Sequence, residues 1–145
     1  LRDPVETIPS GMSLVCGVLD QAYGMRKLPI EWQKKYEQRL YFALCELYRR
    51  FERAWVEGKV DRSRVYIVRY DRLMADFETV MREMMEFLGE NRDEAFWAEV
   101  KATAEKQKKR KSEHKYDLST YNLTAKQIQD DLPMIYDTFG LPRKF

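Results

Sequence analysis

Along most of the chain, apolar residues recur every three or four positions and the intervening positions are charged, a pattern that predicts amphipathic helices. Between Pro9 and Tyr23, Met12, Val15, Leu19 and Ala22 define one such face, and Gly24 supplies a stop. Upstream, Asp3 followed by Pro4 pairs a capping residue with a preferred first helical residue, so an extended segment ending at Leu1 turns there into a helix or turn. The longest helix is predicted from Pro29 or Ile30 to Val56. Its stripe is Tyr36, Leu40, Leu44, Leu47, Tyr48, Phe51 and Trp55, and Gly58 stops it. Asp76 caps a helix running through Phe87 and Leu88, with Val80, Met81, Met84 and Met85 turned inward and Gly89 at its end. Asp93 starts another that carries Phe96, Trp97 and Val100. Thr124 and Gln127 form a capping box for a final helix bearing Ile128, Leu132, Ile135 and Phe139; Pro133 should kink it, and Gly140 with Pro142 closes it.

One segment breaks the helical period. In RVYIVRY, residues 64–70, Val65, Tyr66, Ile67 and Val68 are consecutive β-formers. An unbroken apolar run of this kind predicts a strand covered on both faces, as in a parallel sheet. A second break is the basic loop KQKKRKSEHKYDL, residues 106–118. Neither an internal repeat nor a low-complexity linker divides the chain, so residues 1–145 read as a single unit.

Composition narrows the function classes. Hydrophobic residues make up 44% and charged residues 34% of the chain, which fits a globular domain and leaves no apolar span long enough to cross a membrane. With 26 Lys and Arg against 24 acids, net charge gives no mandate for binding nucleic acid or anionic lipid, so any anion site must be local. Cys16 and Cys45 stand too far apart to suggest a zinc site, and read as buried reduced thiols.

The usual catalytic constellations are thin. His114 is the only histidine, which argues against a Ser-His-Asp system, a HExxH helix or a multi-histidine metal site, and no GxxxxGK[ST] loop occurs. Phosphate handling stays open. Arg2 leaves an extended segment just before a helix start, Ser10 adds a hydroxyl donor, and Arg110, Lys111 and the Ser112 amide lie in the basic loop.

These positions resemble the sulfotransferases that use 3′-phosphoadenosine 5′-phosphosulfate (PAPS). LRDPVETIPS, residues 1–10, is similar to that family's Arg-(Asp/Asn)-Pro segment with a Ser eight residues after the Arg. The resemblance gives Arg2 and Ser10 the 3′-phosphate of the nucleotide. VYIVRYDRLMADFETVMREMMEFLG, residues 65–89, resembles the family's strand, Tyr-(Glu/Asp)-x-Leu turn and helix ending Phe-Leu-Gly, which would put Tyr70 near the adenine. Residues 111–141 are similar to the ending of bacterial members, and RKS at 110–112 stands where cytosolic members carry the Arg-Lys-Gly that wraps the 3′-phosphate.

From the resemblance follow several expectations. The fold would be α/β, of the P-loop NTPase-like sulfotransferase type, here a mostly helical C-terminal portion with one clear buried strand at about 64–70. The phosphosulfate loop and general base would precede Leu1, so the chain alone would be inactive. The complete enzyme would pass a sulfuryl group from PAPS, leaving adenosine 3′,5′-bisphosphate (PAP), to a hydroxyl or amine of an acceptor that the sequence does not name. No metal is implied, and the expected location is cytoplasmic. A different class of function is a helical interaction or nucleic-acid-binding module using the basic loop at 106–111, with Tyr116 and Tyr121 nearby for stacking. That reading leaves the Arg2 to Ser10 spacing a coincidence, which makes nucleic acid the lesser partner.

Overall fold

The computed structural model describes residues 1–109 and 117–143. Seven helices account for most of them: α1 (Pro4–Tyr23), α2 (Ile30–Val56), α3 (Tyr70–Ala75), α4 (Phe77–Leu88), α5 (Glu94–Lys109), α6 (Ala125–Asp131) and α7 (Pro133–Phe139). The chain packs as two compact units, one from the described residues of Leu1–Arg2 and Asp61–Lys115, the other from those of Asp3–Val60 and Tyr116–Phe145.

In the larger unit, α1 and α2 form an antiparallel pair covered by α6 and α7. Asp3 caps α1, its Oδ1 accepting from the Val5 amide at 2.9 Å, and Pro4 takes the first helical position. The helix then runs without interruption through Pro9, a residue that cannot donate to the helical ladder. Gly24, in the left-handed region at φ 67°, ends it. The core gathers Ile8, Met12 and Cys16 from α1, Cys45 from α2, Ile128 from α6, and Leu132, Ile135 and Tyr136 from the start of α7. Phe51, Trp55 and Phe139 extend it, with the Phe51 and Phe139 rings stacked at 5.4 Å between centroids. Cys16 and Cys45 are free and buried, and burial pushes both thiols above their ordinary pKa.

Pro133 does more than kink the last helix. Leu132 leaves helical geometry at φ −130°, ψ 41°, and Pro133 begins a separate α7. The ring of a proline disfavours the helical region for the residue before it, so the break falls one position upstream.

The smaller unit is built on α4 against α5, with Val80, Met85, Val100 and Ala104 buried between them. The methionines of α4 are core and near-core filler.

The strand predicted over 64–70 does not form, and among the described residues there is no strand or sheet. The α/β fold class with a buried strand is therefore corrected to a helical one. Arg62–Arg64 make a 3₁₀ turn, the backbone is extended from Val65 to Arg69, and Tyr70 already belongs to α3. Val65 is 37% exposed and the next four residues are only half-buried, so the run is not covered on both faces. Its main-chain pairing runs to Leu1: the Leu1 nitrogen donates to the Val68 carbonyl at 2.5 Å, and the Tyr70 amide donates to the Leu1 carbonyl at 2.7 Å. β-propensity describes how side chains suit a pleated surface. A strand also needs a partner strand to take its hydrogen bonds, and one residue does not make a ladder.

Candidate nucleotide-phosphate site

In the smaller unit, the Leu1 pairing just described places Arg2 against the start of α3. The Arg2 guanidinium carbon lies 4.4 Å from the centre of the Tyr70 ring, a cation–π contact. Tyr70 remains 36% exposed. The first and second sequence motifs, separated by most of the chain's first half, thus meet at Arg2 and Tyr70. Stacking engages the face of the guanidinium, whereas its N–H donors lie in its plane, an arrangement from which Arg both stacks and donates.

The extended segment that leads into Tyr70 is held by side chains the sequence reading did not single out. Arg69 makes a two-pronged ion pair with Asp71, its Nε donating to Oδ1 at 3.0 Å and its terminal nitrogen to Oδ2. The Arg69 hydrogen bond holds the Asp71 carboxyl below the usual carboxylate range. Tyr66 donates to Glu83 Oε2 at 2.6 Å, and Arg72 donates to Glu83 Oε1 at 2.8 Å, so one carboxylate on α4 ties the extended run to α3. The Arg72 hydrogen bond lowers the pKa of Glu83, and the Glu83 hydrogen bond raises that of Tyr66. The available signal is the alternation Arg69, Asp71 in RYDRL, residues 69–73, which a strand reading assigns to one sheet face. The helix start at Tyr70 instead folds the pair together.

In the larger unit, Ser10 is half-buried on α1. At about 100° per residue it falls on the side of α1 away from the stripe of Val5, Ile8, Met12 and Cys16. The sequence left two geometries open for residues 4–8, helix or loop, and the structure has helix. The head of that helix is elaborately held. Tyr136 of α7 donates to Asp3 Oδ1 at 2.7 Å, Thr7 Oγ1 donates to the Asp3 carbonyl at 2.8 Å, and the Thr7 and Tyr48 hydroxyls share a short hydrogen bond. Burial and the bond to Asp3 push the Tyr136 phenol far above its ordinary pKa. Neither Asp3 nor Tyr136 was flagged as a pair from sequence, and 133 positions separate them.

Of the site residues named from sequence, Arg2 and Tyr70 are brought into contact, and Ser10 lies in the other unit. Arg110, Lys111 and Ser112, like His114, lie outside the described residues; of the basic stretch proposed for nucleic acid, residues 106–109 are corrected from loop to the last turn of α5, because the helix continues until Lys109. Within the smaller unit, Arg2 offers a guanidinium of the kind that binds anions, and Tyr70 offers a partly exposed aromatic ring. The amino end of α1 is already capped by the Asp3 carboxylate. Among the described residues, no group of three or more His, Cys, Asp or Glu is gathered to hold a metal, and no helix is long and apolar enough to cross a membrane.

No curated protein and no solved structure matches the chain. A family model does: that of the Sulfotransferase family, over residues 1–94, a span that takes in Arg2, Ser10 and Tyr70. The match lends nothing to the nucleic-acid reading. With well over half of its residues covered, the chain belongs to the sulfotransferase family.

Proposed function

We propose that this chain carries the nucleotide-binding part of a PAPS-dependent sulfotransferase. Arg2 and Ser10 hold the 3′-phosphate, Tyr70 lies along the adenine, and the family resemblance assigns Arg110, Lys111 and the Ser112 amide to the same phosphate. Bound, the nucleotide supplies an activated sulfuryl group for transfer to an acceptor hydroxyl or amine. The protein's own part is positional. Arg2 is braced on the Tyr70 ring and so meets an anion with its orientation already set, which lowers the ordering cost of binding.

The observation that carries this reading is the Arg2–Tyr70 contact inside the family-matched span. It joins the residue assigned to the phosphate with the residue assigned to the base. The test is Arg2→Ala, with binding measured for PAP and for adenosine 5′-phosphosulfate, which lacks the 3′-phosphate. A charge-assisted hydrogen bond contributes roughly 1.5 to 3 kcal/mol, so PAP affinity should fall about tenfold or more while the second ligand is little affected. Equal losses for the two ligands would refute the 3′-phosphate assignment.

A further inference from the structure

Asp3 is held far more firmly than a helix cap requires. The cap itself needs one bond, from the Val5 amide to Oδ1, and a serine or threonine would supply the acceptor without burying a charge. Instead Asp3 is 8% exposed, and its Oδ2 has no hydrogen-bond partner among the described residues. Burying an under-satisfied carboxylate is costly. Around it, the Tyr136 hydroxyl reaches Oδ1, while the Asp3 carbonyl accepts from the Glu6 and Thr7 amides and from the Thr7 hydroxyl, which in turn meets Tyr48. Side chain and main chain of one residue are thus fixed by α1, α2 and α7 together.

What such over-determination secures is position. Asp3 is peptide-bonded to Arg2 and heads the helix that carries Ser10. Recognition sites depend on supporting hydrogen bonds that hold the contacting groups to within about 0.5 Å.

We infer that Tyr136 is a positioning residue for 3′-phosphate recognition, acting through its hydrogen bond to Asp3; the inference rests on the nucleotide function proposed above. The phenol touches no ligand. It fixes the head of the helix that carries Ser10.

The experiment compares the affinities of PAP and adenosine 5′-monophosphate by calorimetry for the wild-type protein, Tyr136→Phe and Tyr41→Phe. Tyr41 is a matched control: it donates to Asp131 Oδ2 at 2.6 Å, between α2 and α6, and serves no residue of the phosphate motif. Tyr136→Phe should lower the preference for PAP about three- to tenfold, the fold-change equivalent to one net hydrogen bond, with the Tyr41→Phe preference unchanged. Retention of the full preference by a folded Tyr136→Phe overturns the inference, as does an equal fall in Tyr41→Phe, which would indicate general loosening. If Tyr136→Phe does not fold, Asp3→Gly carries the test. Glycine is tolerated at a helix cap and leaves the phenol no side-chain acceptor, and there too an unchanged preference overturns the inference. A wild-type protein with no preference for PAP removes the nucleotide reading and this inference together; a wild-type preference that survives in Tyr136→Phe removes the inference alone.

Discussion

The Asp3–Tyr136 bond predicts a specific non-additivity in stability. Asp3→Ala removes the cap of α1, at about 1 kcal/mol, and strands the Tyr136 hydroxyl in a site that is 2% exposed, at roughly 1 to 3 kcal/mol. Loss of the unpartnered Oδ2 gives part of this back, so a net cost of about 2 to 3 kcal/mol is expected. Tyr136→Phe keeps the ring packed and deletes only a bond to a carboxylate, for roughly 1.5 to 3 kcal/mol. In the double variant the same bond is lost once, not twice, and neither partner is left behind. Its cost should fall short of the sum of the singles by about 1 to 2 kcal/mol, within the range measured for contacting pairs. Urea unfolding of the four proteins, followed by helical circular dichroism, supplies the cycle. Additive costs would mean that the bond contributes nothing beyond the cap and the ring, and the reasoning about a braced corner would fail.

Two further outcomes follow from the same core. Burial raises the phenol pKa of both Tyr41 and Tyr136 in the folded protein, so these groups favour folding below pH about 10, and that contribution is lost as pH climbs beyond it, where the unfolded phenols ionise first. Stability should fall above that pH by up to about 1.4 kcal/mol per unit for each tyrosine, and the slope should lessen in Tyr136→Phe and in Tyr41→Phe; alkaline unfolding curves with identical slopes in all three would contradict this. Ile135→Ala, at a position with 0% exposure, should cost about 2 to 5 kcal/mol, whereas Leu14→Ala, at 70% exposure on α1, should change the urea midpoint little; comparable shifts would disprove the assigned core.

The sequence by itself determined what depends on neighbours along the chain. The caps at Asp3, Asp76 and Thr124, and the left-handed stops at Gly24, Gly89 and Gly140, were all legible, because a cap is a contact over two to four residues. The Arg-Asp-Pro spacing with Ser10, likewise a local sequence property, lies inside the span that the family model covers. The tertiary structure alone decided the rest. Whether Val65 to Arg69 became a strand turned on the presence of a partner strand, and the main-chain bonds of Val68 and Tyr70 run to the single residue Leu1. Pro133 was visible, but the division into α6 and α7 reflects how Leu132 could leave helical geometry and still be buried. Arg2 against Tyr70 and Tyr136 against Asp3 join positions 68 and 133 residues apart; periodicity and capping rules carry no information over such separations, since only packing determines which helix ends come together.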